Sequence, residues 1–229
     1  MNRRFPLPVR AVMIDLDGTL ADTIPDLAAA ANAMLRELGR PEQDVALIRT
    51  FVGKGIAHLV ERVLAADSRN ASLPADQLAR ALSIYERCYA VVNGRYASLY
   101  PGVSEGLRAF EALRLPLACV TNKSERFTTP LLKQLALSHH FMQVIAGDTL
   151  PQKKPDPAPL LHACRGFGIA PRDMLMIGDS VNDAQAARAA GCPVFCVTYG
   201  YNEGQDVREL SVDAIVASLF DASQLIEAA

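Results

Sequence analysis

No stretch of the 229-residue chain approaches the ~18 consecutive apolar residues of a membrane-spanning helix, so no membrane partner is expected. An excess of charge of one sign is also missing: 23 Lys plus Arg stand against 25 Asp plus Glu, a formal net charge of -2. A nucleic-acid scaffold would carry a basic stripe, so no nucleic-acid partner is expected either. The start, Met-Asn-Arg-Arg-Phe-Pro, is basic, but no apolar signal core follows it. Cysteines are few and odd in number, 5 in all, without Cys-x-x-Cys spacing. Free, mostly buried thiols are therefore expected in place of zinc ligands or disulfides. His58, His139, His140 and His162 lack ligand spacing and are read as surface or packing residues. Internal repeats and low-complexity segments are absent too. A cytoplasmic globular protein is therefore expected. Its 50% hydrophobic content is enough for a substantial core in one large or two smaller domains.

The chain is organised around its segment 9–20, Val-Arg-Ala-Val-Met-Ile-Asp-Leu-Asp-Gly-Thr-Leu. The apolar run is too short for a buried helix and reads as a buried strand. At its end stand Asp15 and Asp17, two residues apart, followed by Gly18, which allows a sharp turn and a close approach to a ligand. Like charges crowded at a strand end repel. The arrangement makes sense where a metal ion and a phosphate sit.

Helical periodicity is expected over 27–38, 44–50, 56–66 and 75–96, with a loop carrying Ser68, Asn70 and Pro74, and no strand signal interrupts 22–98. From Pro101 the character changes. Helices at 103–115, 126–137, 157–167 and 183–190 alternate with strands at 117–121, 144–146, 174–177, 194–197 and 214–216. Such alternation predicts a parallel sheet with right-handed crossovers. The fold class is α/β: a Rossmann-like parallel sheet core, 1–21 and 99–229, with an α-helical cap domain, 22–98, inserted after the first strand.

Parallel strands share one carboxyl edge, so the features at their ends converge. These are Asp15 and Asp17, Thr121-Asn122-Lys123, and Gly178-Asp179-Ser180-Val181-Asn182-Asp183; Lys153-Lys154-Pro155 lies in the loop beyond the third strand. Four acids, Asp15, Asp17, Asp179 and Asp183, need cations to share one site. Taken singly, each feature has a plainer reading: turn acids, a helix cap at Asp179, an ordinary strand threonine, a solvated lysine.

Together they resemble the haloacid dehalogenase superfamily of phosphotransferases. The resemblance rests on Asp-Leu-Asp-Gly-Thr-Leu, Val-Thr-Asn-Lys, Lys-Lys-Pro-Asp-Pro and Gly-Asp-Ser-Val-Asn-Asp, in that order. Asp-Thr-Ile-Pro-Asp-Leu after the first motif and Phe-Val-Gly-Lys-Gly in the helical insert look most like the phosphoglycolate phosphatases, with Thr23 where a serine is more usual. The resemblance implies Asp15 as nucleophile, forming an aspartyl-phosphate, and Asp17 as general acid and base. It implies Mg²⁺ on the Asp15 and Asp179 carboxylates and the Asp17 backbone carbonyl. The Thr121 hydroxyl and the Asn122 amide would hold phosphate oxygens. Lys154 would neutralise Asp15 and phosphate, and Asp183 would hold Lys154 and a water on the ion. Lys153 is read as a surface residue. Lys54, between Gly53 and Gly55, is the expected cap contact to a substrate anion, ahead of Arg49 and Arg62.

The implied activity is Mg²⁺-dependent hydrolysis of a small phosphorylated metabolite, first 2-phosphoglycolate. The alternatives are a sugar phosphate such as N-acetylmuramic acid 6-phosphate, or a sugar phosphomutase, against which the absence of a histidine soon after the first motif argues. A phospho-accepting signalling module is disfavoured by the insertion and by Asp17, which would hasten loss of the signal. Monomer and homodimer both remain open.

Overall fold

Six short apolar segments, each bounded by turn residues, build one parallel sheet. The computed structural model describes residues 4–66 and 74–229; Ser68 and Asn70 of the expected loop lie outside the described residues. In chain order the elements are β1 (Leu7–Val9), β2 (Ala11–Ile14), β3 (Ala21–Asp22), α1 (Ile24–Glu37), α2 (Val45–Arg49), α3 (Ile56–Ala65), α4 (Ala75–Val92) and β4 (Ser98–Leu99). They continue with α5 (Val103–Ala112), β5 (Leu117–Val120), α6 (Glu125–Gln134), β6 (Gln143–Ile145), α7 (Ala158–Phe167) and β7 (Met174–Gly178). The chain finishes with α8 (Val181–Ala190), β8 (Val194–Val197), β9 (Ala214–Val216), α9 (Leu219–Gln224) and β10 (Ile226–Ala228).

The sheet has the order β6-β5-β2-β7-β8-β9, and all its pairs are parallel. Every residue of β2, β5, β7 and β8 is buried, as expected of strands covered by helices on both faces. The order reverses at β2, between β5 and β7. The carboxyl edge of such a switch point is where open α/β sheets bind ligands.

Helices α1–α4 lie between β3 and β4 and build an apolar cluster that includes Met34, Leu35, Ile48, Val60, Val63, Tyr85 and Tyr89, joined by Phe127 and Tyr201 from outside the helical unit. Two other clusters flank the sheet. The two-residue strands β3 and β4 pair antiparallel, Ala21 with Leu99 and Asp22 with Ser98, and tie together the two passages between sheet and helices. All 5 cysteines are free. Among the described residues, no helix is long and apolar enough to cross a membrane.

Several boundaries differ from the sequence expectation for local reasons. The single strand expected around 9–14 is broken at Arg10: β1 pairs with β10, and β2 enters the main sheet. Helix α1 starts at Ile24, three residues early, because Pro25 suits a first helical turn. Helix α8 starts at Val181, where the Asp183 carboxylate accepts from the Ser180 amide and hydroxyl at 3.2 and 2.8 Å. Helices α5 and α6 stop before Arg114 and Ala136, both at φ 57°.

Helix α4 stops at Val92 instead of continuing to 96. Its exit is held from across the helical unit: the buried Asp26 carboxylate of α1 accepts from the Gly94 and Tyr96 amides at 2.7 and 2.8 Å. Asp26→Ala should strand both donors and lower stability by about 2–3 kcal/mol. The measurement is thermal unfolding, and an unchanged midpoint would show that this clamp contributes nothing.

Candidate active site

Strand β2 delivers Asp15 to the switch point, and the Asp15 amide donates to the Ile177 carbonyl at 3.0 Å. The chain then turns on the Leu16 carbonyl, which accepts from Leu20 and Ala21, both at 3.0 Å. Gly18 completes the turn at φ +86°, and a Cβ there would collide with the Asp179 carboxylate. Only glycine allows this turn to lie so close to the end of β7.

The carboxylates of Asp15, Asp179 and Asp183 lie within 4.8 Å of one another, all buried. Lys154 enters from the loop after β6. Its ammonium donates to the Val120 carbonyl at 2.7 Å and to Asp183 Oδ1 at 2.6 Å. It also stands 2.9 Å from Asp15 Oδ1 as an ion pair. Burial would lower the Lys154 pKa, but Asp15 and Asp183 override it and hold the pKa above its ordinary value. Burial pushes Asp15 up to about 7, with Lys154 opposing. Asp179 is pushed up to about 8, again first by burial and then by Asp183 and Asp15.

One ammonium does not balance three crowded carboxylates, and hard oxygen donors suit a divalent cation such as Mg²⁺. The hydrogen bonds sort the acids. Asp183 spends both oxygens on Lys154, Ser180 and the Asp179 amide. Asp15 Oδ1 has only the Lys154 ammonium beside it. Asp179 accepts from the Tyr201 amide at 2.6 Å and from the Thr19 hydroxyl at 3.3 Å. The residues therefore fit a cation held by Asp15 and Asp179, with Asp183 orienting its neighbours.

The pKa shifts set a pH dependence. Asp15 and Asp179 are raised from 3.8 to about 7 and about 8. Between those limits the native state binds more protons than the unfolded chain, so metal-free stability falls as pH rises through this window. A divalent cation replaces those protons. Mg²⁺ should therefore raise the unfolding temperature more at pH about 8 than at pH about 5. Equal gains at both values would show that these acids do not hold the ion.

Asp17 is separate from this cluster. Both of its oxygens accept from the Lys123 ammonium at 2.9 Å, and Oδ1 accepts from the Thr23 hydroxyl at 2.6 Å. Thr121 follows β5 directly, and its hydroxyl accepts from the Lys123 amide at 3.2 Å. The Asn122 side chain donates to the Lys154 and Gly53 carbonyls at 2.8 and 2.9 Å, joining the sheet edge to the helical insert. Asp15, Asp17, Thr121, Asn122, Lys123, Asp179, Ser180 and Tyr201 line one cleft, closed from above by Leu27, Val52, Gly53, Gly55, Ile56 and Leu59.

Asp15, Asp17, Thr121, Asn122 and Asp179, expected from sequence, thus share the cleft, with Lys154 and Asp183 directly behind it. Lys54 does not join them. Gly53 at φ +130° and Gly55 at φ +88° turn the loop so that the glycines face the cleft, and the Lys54 ammonium pairs with Glu203 at 2.8 Å. Arg49 donates to the Tyr199 and Gly200 carbonyls at 3.0 and 2.8 Å, and Arg62 lies over the Phe51 ring. Lys153 is exposed, its ammonium 3.4 Å from where a Cβ on Gly55 would sit.

Three residues carry parts of the site that the sequence reading left without a role: Lys123 and Thr23 on Asp17, and Tyr201, whose hydroxyl accepts from the Thr23 amide at 2.8 Å and donates to Asp22 at 3.0 Å. Lys123 stood inside a recognised motif; its place beside Thr121 was the available signal. Thr23 stood in Asp-Thr-Ile-Pro-Asp-Leu, and nothing in the spacing of Tyr201 marks it.

A family model for haloacid dehalogenase-like hydrolases matches residues 9–191. The chain is 58% identical over 223 residues to a phosphoglycolate phosphatase of Nitrosospira multiformis, covering 97% of this chain and 98% of that protein. It is 52% identical to a phosphoglycolate phosphatase of Thiobacillus denitrificans, covering 98% of each. A crystal structure of a predicted phosphoglycolate phosphatase from Haemophilus somnus superposes with a TM-score of 0.89 at 34% identity, covering 93% of this chain and 96% of that one.

Proposed function

Because this chain belongs to the haloacid dehalogenase-like hydrolases, we propose that it is a Mg²⁺-dependent phosphomonoesterase whose substrate is 2-phosphoglycolate. One observation carries the chemistry: Asp15 stands at the switch point, 2.9 Å from the Lys154 ammonium, with the acid Asp17 two residues on in the same cleft. The substrate rests on relatives of that name, similar along nearly their whole length.

In this reading Asp15 attacks phosphorus and carries the phosphoryl group as an aspartyl-phosphate. Asp17 protonates the departing alkoxide, then takes the proton of the attacking water. The Thr121 hydroxyl and the Asn122 amide hold phosphate oxygens, and Lys154 offsets their charge while Asp183 keeps Lys154 in place. Mg²⁺ on the Asp15 and Asp179 carboxylates and the Asp17 carbonyl would supply charge neutralisation for the transferring group. The helical unit closes over the leaving group and excludes water. Five free thiols suit a reducing, cytoplasmic setting.

A panel of phosphate esters ranked by kcat/KM, with Mg²⁺ and with chelator, tests the proposal. The expected result is 2-phosphoglycolate first and no turnover in chelator. A higher kcat/KM for N-acetylmuramic acid 6-phosphate, or full activity in chelator, would overturn it.

A further inference from the structure

We propose that Lys123 is the residue that recognises the second anionic group of the substrate, exchanging the Asp17 carboxylate for a carboxylate on the leaving group. The proposal rests on the phosphoglycolate reading and deepens it.

Among the described residues that line the cleft, Lys123 is the one with a basic side chain. Of the other cations nearby, Lys153 is exposed at the rim beside Gly55, and the rest are committed elsewhere. The Lys154 ammonium has three oxygens, on Val120, Asp183 and Asp15. Lys54 is on Glu203, and Arg49 is on two backbone carbonyls.

Lys123 is also at the right radius. Asp17 addresses the leaving-group oxygen, and in an O–CH₂–COO⁻ leaving group the carboxylate carbon is two bonds from that oxygen. A cation 2.9 Å from both Asp17 oxygens sits within one side chain's swing of that position. Its backbone is fixed: the Lys123 carbonyl accepts from the Gly147 amide at 2.7 Å and the Thr128 hydroxyl at 3.1 Å. The flexible four-carbon stem is therefore the part that moves. The Tyr89 ring of α4 lies 5.0 Å from the ammonium and offers it a cation–π surface while it changes partners. Asp17 is not abandoned in the exchange, because Thr23 keeps its 2.6 Å hydrogen bond to Oδ1.

A neutral leaving group offers Lys123 nothing, so the ammonium stays on Asp17. Buried polar groups reject ligands that leave them unmatched far more strongly than apolar pockets reject a missing methylene. Lys123 thus makes the cleft selective for an acidic substrate.

The test compares 2-phosphoglycolate with ethyl phosphate, which has the same skeleton and a methyl group in place of the carboxylate. Wild-type enzyme should prefer 2-phosphoglycolate. In Lys123→Met both substrates lose whatever the ammonium gives Asp17, and the ratio of kcat/KM on 2-phosphoglycolate to that on ethyl phosphate should fall by roughly 10²-fold or more. Lys123→Arg keeps the charge in a different shape, so the ratio between the two substrates should fall less than in Lys123→Met; it carries the test if the methionine variant does not fold. Equal losses on both substrates would overturn the proposal and leave Lys123 as a positioning residue for Asp17. Loss of the acid preference in Lys153→Ala, with its retention in Lys123→Met, would also overturn it. A wild-type enzyme without any preference for 2-phosphoglycolate would instead sink the substrate reading beneath it.

Discussion

Asp15→Asn should abolish turnover, with a loss on the order of 10⁵-fold or more, as when an essential nucleophile is removed. The loss should appear in protein that remains folded. Asp15 is buried beside Asp179 and Asp183, and its ionisation is opposed first by burial. Removing that carboxylate therefore relieves repulsion in the metal-free state. Lys154 keeps its bonds to Asp183 and the Val120 carbonyl. The unfolding temperature of the metal-free variant should match or exceed that of the wild type near pH 8, while no phosphoryl group is trapped after rapid acid quench. Intact-mass measurement and kcat/KM together decide it. Near-normal turnover, or a phosphoenzyme of wild-type yield, would remove Asp15 from the nucleophile's role.

What was legible in the sequence was local. An apolar run ending in Asp-Leu-Asp-Gly announces both a strand and a charged turn, and the same holds for Met174–Gly178 running into Asp179. The α/β sheet follows from such segments because each needs only its own neighbours to be recognised. The end of α4 was not legible, because Asp26, 68 residues before Gly94, sets it. The pair β3–β4 has two residues per strand, too few for any periodicity. Lys54 shows the same limit in the site. Its glycine neighbours were visible, but the loop turns the glycines to the cleft and the lysine toward Glu203. Lys123 had the opposite fate. A lysine in the turn after β5 reads as solvated until the fold buries it, with 3% of its side chain exposed, against Asp17 and Tyr89. Polar residues are assigned by their partners, and partners come from the tertiary fold.

Asp17→Asn should behave differently from Asp15→Asn, although the two acids stand at one strand end. Asp17 is outside the buried acid cluster, held by Lys123 and Thr23. An asparagine keeps an oxygen for Thr23 but loses the charge that faces Lys123, so some stability is lost, and the variant must be compared at a temperature where it is folded. It should still bind Mg²⁺, because the proposed contact from this residue is its backbone carbonyl. What it lacks is the proton carrier, typically worth ~10²–10⁴-fold in rate. The loss should be largest for alkyl phosphates, whose alkoxides need a proton to depart. It should be smallest for aryl phosphates in the first half-reaction, since a phenolate leaves with little protonation. The second half-reaction still needs a base for water. An aryl phosphate should therefore load Asp15 faster than the variant can unload it, and an added phosphoryl group should accumulate where the wild type shows none. Rapid quench followed by intact-mass analysis reads this directly. Equal losses on aryl and alkyl substrates, with no accumulation and with Mg²⁺ binding gone, would make Asp17 a structural part of the metal site and return the proton transfer to some other group.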